Sequence, residues 1–375
     1  MKQTLRTLAF AANALLVALW LPGFLASYVN PTVFWVGAVL AVGLPFLTLG
    51  LVPFAVLHLL TRKWTLFALH LVMVLLVLDR HWSIDRFSRP DARKGDWTLM
   101  TFNTPRYPDT EEAQEHTSAL VRGVQPTMIG LQEFSIWAAR RDPSRVRAHM
   151  KFRDVVDSLG YVTLPPRDGP ADVGWMEWVQ PLLSIEPIES QEQLTFNRDV
   201  AGWPTLYVLR TIMEFDGRRF AHYNVHLFTH GPSKPWNGDG SWLQPERWMK
   251  FLSEARTAFR VRAWQAEQIR RVIEQEALPV ILSGDFNGTA DNWSYGVLSD
   301  GLQDAFRLAG DGWGATYHSK LPMLRIDFVL LGPEFEPVRA RVPAEYDPQS
   351  DHLPLVVRFR WRQAHGGETA RGGTG

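Results

Sequence analysis

The sequence contains no cysteine. That excludes disulfide staples, thiolate metal sites and a cysteine nucleophile. Charge is also missing over a long stretch. No Asp, Glu, Lys or Arg occurs from Thr7 to Thr61, 55 of the 375 residues. A wholly water-soluble chain and a uniformly disordered one are both excluded by that segment. Nor is there a basic surplus. The chain carries 39 basic and 39 acidic side chains, and residues 81–375 hold 34 against 38, a net of −4. A broad cationic footprint for non-specific nucleic-acid binding is therefore absent. A bound divalent cation would still supply positive charge locally.

What fills the uncharged stretch is apolar. Leu8–Tyr28 forms one run, broken at Asn30-Pro31, and Val33–Leu60 forms a second, with Pro45 and Pro53 as kink positions. Trp64–Leu78 is a shorter third run. A spanning helix needs about 20 apolar residues. The third therefore spans only by snorkelling or local thinning, with Trp64 and Trp82 as interfacial anchors. Lys2 and Arg6 would suit the basic end of a cleaved signal peptide, but the length of the first run and the two that follow favour retained spans. Residues 1–82 are expected to hold three transmembrane helices, at about 8–28, 33–60 and 64–82. With Lys2, Arg6, Arg62 and Lys63 inside, the remainder lies outside the cytoplasm of a bacterial-type inner or plasma membrane. Arg80, Arg86, Arg89, Arg93 and Lys94 count against that orientation. An interfacial third run would reverse it.

Residues 83–95 read as a polar linker and 96–362 as one folded domain. The Gly-rich tail, 363–375, reads as disordered. Within the domain, strands are expected at 96–103, 127–131, 206–215, 219–227, 278–287, 324–331 and 353–361. Helices are expected at 111–124, 147–159 and 246–276. Asp216-Gly217 between two alternating runs signals a tight hairpin. Mixed strands and helices of this kind indicate an α/β domain of layered sheets.

Polar residues recur where these buried strands end. Asn103 ends the first, Glu133 follows the second, and His226 ends the hairpin. Asp285 and Asn287 close "VILSGDFN", Asp327 lies in "RIDF", and Asp351-His352 precede the last strand. Taken singly, each has a plain structural role: a turn cap, a loop former, a satisfied core histidine. Together they suit phosphoester cleavage, which needs an activated water, shielding of phosphate charge and a stabilised leaving oxygen. Four acids (Glu133, Asp285, Asp327, Asp351) without thiolates suit a hard cation such as Mg²⁺ or Mn²⁺.

The motifs "TFNT", "GLQEF", "YNVHL", "SGDFNGT", "RIDFV" and "SDHLPL" stand in one order between residues 101 and 355. In that order they resemble the endonuclease/exonuclease/phosphatase superfamily, over about residues 96–361. The resemblance implies a four-layer α/β sandwich, two central sheets with helices outside. It implies Glu133 as the main metal ligand with Asn103 and Asp351 beside it. Asp285 would activate the water, and Asn287 would hold the water or the phosphoryl oxygens. His352, held by Asp327, would bind the scissile phosphate, and His226 would stabilise the transition state or the leaving group. The stretch 165–204 is only loosely similar, and no carboxylate partner for His226 can be placed.

Beyond the motifs, the segment after His226 carries Trp236, Trp242 and Trp248, among 16 tryptophans in the chain. They read as loop packing or as an aromatic rim that touches substrate or lipid. Arg262 reads as part of a solvated basic face or of a basic edge toward an anionic substrate. The expected function is a membrane-anchored, metal-dependent phosphoesterase. Its partners would be a lipid, nucleotide or nucleic-acid phosphate ester and the bilayer itself, with no protein partner inferred. A nuclease and a catalytically idle membrane scaffold are the alternatives.

Overall fold

The computed structural model describes residues 2–83, 93, 95–104, 111–134, 143–163, 179–200, 203–230, 243–346 and 350–363. Most of the expected linker and tail lie outside these residues.

Two sheets form the centre of the domain. The strands are β1 (Trp97–Asn103), β2 (Met128–Gln132), β3 (Leu182–Ser184), β4 (Ile188–Phe196), β5 (Leu206–Phe215), β6 (Arg218–His226), β7 (Val280–Asp285), β8 (Gln303–Asp304), β9 (Asp327–Leu331), β10 (Phe335–Arg341) and β11 (Leu355–Trp361). One sheet runs β10-β11-β1-β2-β3 and the other β4-β5-β6-β7-β9-β8. The pairs β1–β2 and β6–β7 are parallel and the remaining ladders antiparallel. At the hairpin, Asp216 and Gly217 both take positive φ (49° and 71°), as a two-residue primed turn requires.

β1, β2 and β7 are buried along their whole length, which is why they read as continuous apolar runs. Leu99, Phe102 and Leu131 of one sheet share a core with Phe215, Phe220 and Val329 of the other. Outside the first sheet, helices α5 (Glu111–Val124) and α6 (Pro143–Ser158) add Leu120, Val121 and Val156 to that core. Outside the second, α7 (Pro245–Gln275) lays Ala266, Ile269 and Ile273 on Val208, Tyr223 and Leu282. Short helices α8 (Trp293–Ser299) and α9 (Ala305–Ala309) follow. The result is a four-layer sandwich.

The amino-terminal part is helical: α1 (Lys2–Leu25), α2 (Pro31–Val42), α3 (Leu44–Leu60) and α4 (Trp64–His81). The expected second run is not one helix. α2 and α3 are bent by 58° across Gly43. Pro45 sits in the first turn of α3, where a missing N–H costs nothing, so a helix restarts there readily. α2 lies on the folded domain, with Ala38 packed on Ala255 and Phe259 of α7. α1 and α4 are each long and apolar enough to cross a membrane, and the bent pair is so if counted together.

Among the described residues, the hydrogen bonds and ion pairs between this helical part and the domain come from one end of it. Asn292 donates to the Ala38 carbonyl (3.0 Å), and Asn30 donates to Glu267 (3.3 Å). At the end of α4, Arg80 and His81 both reach the buried carboxylate of Asp291, at 3.1 and 2.5 Å. Asp79 pairs with Arg307 at 2.8 Å.

Candidate active site

At one edge of the second sheet β6 and β7 end and β9 begins, each at a candidate site residue. His226 of β6 is registered with Asp285 of β7, and Asp285 with Asp327 of β9. In the first sheet, β1 ends at Asn103, registered with Gln132, so Glu133 follows directly beside it. Facing sheets therefore bring two sets of strand-end residues into one cleft. β6 and β7 can pair this closely because Gly284 has no side chain. Its φ is +142°, and a Cβ there would lie 1.8 Å from the Val225 carbonyl oxygen.

Asp285 is the centre of the cluster and is 1% exposed. Its Oδ1 accepts the Asn287 N–H at 2.7 Å. Its Oδ2 accepts from the amides of Asn103 (2.9 Å) and Asn287 (3.1 Å). His226 Nε2 lies 3.6 Å and His352 Nε2 3.8 Å from the same oxygen. Burial pushes the Asp285 carboxyl up to about 6, with Asp327 adding to the rise, against the pull of the two histidines and the Asn287 N–H. Asn287 holds a left-handed backbone, φ 49°, that turns its amide back onto Asp285 and onto the Leu227 carbonyl at 2.9 Å.

His352 Nδ1 is 2.9 Å from Asp327 Oδ2, leaving Nε2 toward Asp285. Burial lowers the imidazole's pKa, but Asp327 and Asp285 outweigh it, and the ring is raised to about 10. The two carboxylates thus favour the charged form of the ring, whose Nε2 is directed toward Asp285. His226 Nε2 also approaches Glu133 Oε1 at 3.6 Å, so the carboxylates nearest His226 are Glu133 and Asp285. Glu133 sits at φ 56°, a second strained backbone in the site.

Oxygen donors for a cation are available. Asn103 Oδ1 and Asp351 Oδ1 are buried and have no hydrogen-bond partner among the described residues. Ser350 Oγ bonds the Asn103 carbonyl at 2.7 Å, which draws Asp351 up to Asn103. Glu133 stands beside them, partly exposed. Asp285, Asp327 and His352 also offer ligand atoms within 4.8 Å of one another. In that group Asp285 is already bonded by Asn103 and Asn287 and His352 Nδ1 by Asp327, whereas the buried Asp327 Oδ1 has no hydrogen-bond partner among the described residues. Orphaned oxygens without thiolates fit a hard divalent cation better than any soft one.

Six motifs brought to one cleft match what the family comparison finds. Residues 100–352 fit the profile described as "Endonuclease/Exonuclease/phosphatase family". The chain belongs to this family. Its members are hydrolases acting on phosphoester bonds. Residues 6–83 fit a second profile, "Domain of unknown function (DUF8431)". No curated protein matches the chain. Among solved structures, an endonuclease/exonuclease/phosphatase family protein from Leptotrichia buccalis is 17% identical, covering 71% of this chain and 100% of that one, TM-score 0.48. The human Nocturnin catalytic domain with bound sulfate is 17% identical, covering 74% and 98%, TM-score 0.47. Sphingomyelinase C from Streptomyces griseocarneus is 17% identical, covering 71% and 99%, TM-score 0.46.

Trp236 and Trp242 lie outside the described residues. Arg262 belongs to neither a solvated face nor an exposed edge, because it is 0% exposed. Its guanidinium donates to the Phe228 carbonyl at 2.9 Å and lies over the Phe259 ring at 4.3 Å. Burial pulls it down to about 9, and the field of Asp285 opposes the fall. It fastens the segment that leaves His226, together with Gln265, which accepts the Phe228 N–H at 2.8 Å.

A supporting layer escaped the sequence reading. Gln132 donates to Asn224 (2.7 Å), and Asn224 donates to the carbonyls of Leu131, Gln180 and Pro181. These bonds tie the two sheets together beneath the site. The signal was present as alternation: His222, Asn224 and His226 share one face of β6.

Proposed function

We propose that this family member is a membrane-anchored phosphoesterase that attacks its substrate with a water activated by Asp285. The observation that carries this is Asp285 itself. It is a buried carboxylate raised toward neutrality, held by two amides and flanked by two imidazoles. Such a group accepts a proton near neutral pH at small cost. Asn103 and Asn287 orient it and leave it unable to rotate. The cationic His352, steadied by Asp327, is placed to neutralise charge gathering on phosphoryl oxygens. His226 is placed to stabilise or protonate the leaving oxygen.

Glu133, Asn103 Oδ1 and Asp351 Oδ1 would hold a divalent cation, Mg²⁺ or Mn²⁺, which when bound supplies Lewis-acid shielding of the phosphate. Activity on a phosphodiester or phosphomonoester is expected to vanish in EDTA and return with either ion. Full activity in excess chelator would refute the reading.

The membrane placement draws on two features. α1, α3 and α4 contain 24, 17 and 18 residues, or about 36, 26 and 27 Å of helix against a hydrocarbon core of about 30 Å. Every contact described above between helices and domain comes from the end opposite Lys2, Arg6, Arg62 and Lys63. Three crossings with α2 lying on the domain, and Lys2, Arg6, Arg62 and Lys63 inside, would put the active site on the non-cytoplasmic side.

A further inference from the structure

Between the helical part and the domain lies a groove of about 340 Å³. Leu49 and Val52 of α3 and Val74 and Leu78 of α4 form its floor, and Trp313 and Met323 of the domain form its roof. That volume is at the lower end for small-molecule sites and suits one narrow occupant. The lining offers nothing polar to bind. Its polar side chain, Thr48, donates to the Leu44 carbonyl (2.8 Å) and accepts the Trp20 indole (2.9 Å). The Trp313 N–H is spent on the Met323 carbonyl (3.0 Å). A nucleobase, sugar or peptide would lose its hydrogen bonds on entering such a groove.

The roof and the candidate catalytic centre are touched by the two strands of one hairpin, residues 316–324. On one side Ser319 N–H donates to the Asp351 carbonyl (2.8 Å), and the Tyr317 ring stands 5.0 Å from the His352 ring. On the facing strand of the hairpin, Met323 N–H donates to the Tyr317 carbonyl (3.0 Å) while its side chain closes the groove. Two apolar side chains of the hairpin stay uncovered, Leu321 in the turn at 69% and Met323 on the second strand at 42% exposure. On a water-facing loop that exposure would be unfavourable. Beside α3 and α4 it faces the hydrocarbon edge. Trp313 is also stacked on His81 at the end of α4, at 5.0 Å, which holds roof and floor together.

We propose that this groove seats the hydrocarbon chain of a membrane lipid whose phosphate ester is presented to Asp285 and His352. The proposal rests on the phosphoesterase reading and narrows its substrate to a lipid-linked phosphate. The hairpin would then stand between the two parts of the lipid, with the chain under Met323 and the headgroup on the Tyr317 side, toward His352.

The test uses the full chain in proteoliposomes. Two matched pairs of probes are offered: methyl and hexadecyl para-nitrophenyl phosphate, and methyl and hexadecyl phosphate. Leu49→Trp and Val52→Trp fill the groove from its floor and touch no site residue. Expected are an unchanged rate on the methyl ester and a KM for the hexadecyl ester raised about tenfold, the effect of denying roughly two methylene groups a buried place. In parallel, a phospholipid with a diazirine on its acyl chain is photolysed in the same vesicles. Labelling is expected at Trp313–Met323, and it is lost in Leu49→Trp. Equal slowing of both esters, no preference of the wild type for the hexadecyl ester, or label confined to α1 and the outer face of α4 would each overturn the groove. Hydrolysis of no probe would instead remove the phosphoesterase reading, and the labelling would then decide the groove alone.

Discussion

Asp285 and Glu133 differ in burial, and the difference separates their roles. Asp285 is enclosed and already bonded on both oxygens, whereas Glu133 is half open with its backbone turned outward at φ 56°. Asp285→Asn keeps the shape and removes the base, so kcat should fall by roughly 10²–10⁴-fold with metal affinity retained. Glu133→Gln should instead raise the metal concentration needed for half activity and recover part of its rate at high metal. Initial rate against metal concentration distinguishes them, and rescue of the Asp285 variant alone would mean the roles are exchanged. The same cluster sets a pH dependence of stability. His352 is raised from 6.5 to about 10. Its contribution is therefore complete below 6.5 and lost as pH rises through 10. Asp285 is raised from 3.8 to about 6, so the fold is favoured below 3.8 and loses that increment by about 6. Between those two windows the sign is the same. Chelated protein in detergent should show a Tm that declines from pH 6.5 to pH 10, and His352→Gln should flatten the decline.

At the scale of elements, the loop after β7 is shared property. Residues 285–287 serve the cleft, and residues 291–292, at the loop's far end, serve the helical part. Asn292 Oδ1 accepts the Thr289 N–H (2.9 Å) while its Nδ2 reaches α2. Asp291 is 0% exposed and takes both Arg80 and His81. Asp291→Ala would leave those groups without their anion, a defect of about 3–5 kcal/mol when a buried pair loses one partner. Asp291→Asn, which keeps an acceptor, should cost less. Thermal unfolding of the full chain in detergent measures both. Equal Tm for wild type and Asp291→Ala would show that α4 is not tied to the loop. The sandwich itself was legible at this scale. The runs 206–215 and 111–124 are strand and helix as expected, because alternation and helical spacing are local properties. The break at Gly43 was not legible as a bend of this size. It depends on Ala255 and Phe259 giving α2 a surface to lie on.

For the whole molecule, the one-ended docking of α1–α4 makes the side of the membrane testable. An alkaline phosphatase reporter fused after Trp361 should be active, and a cytoplasmic reporter at the same place should be silent. The reverse would mean that α4 does not cross, and with it the domain would stand on the cytoplasmic face.

The order of the six motifs along the chain was readable in the sequence, and it was their resemblance to a family that implied a phosphoester chemistry. The division into an apolar part and a charged domain was readable too, because hydrophobicity and periodicity are written residue by residue. What only the tertiary structure decided is which of those residues share a space. Asp285 stands against Asn103 across 182 positions, and Asp291 against Arg80 across 211. Arg262, read from the sequence as a surface cation, is buried behind Asp285's strand because α7 packs there. Burial and pairing belong to the folded arrangement of both sheets, and no local window of sequence contains them.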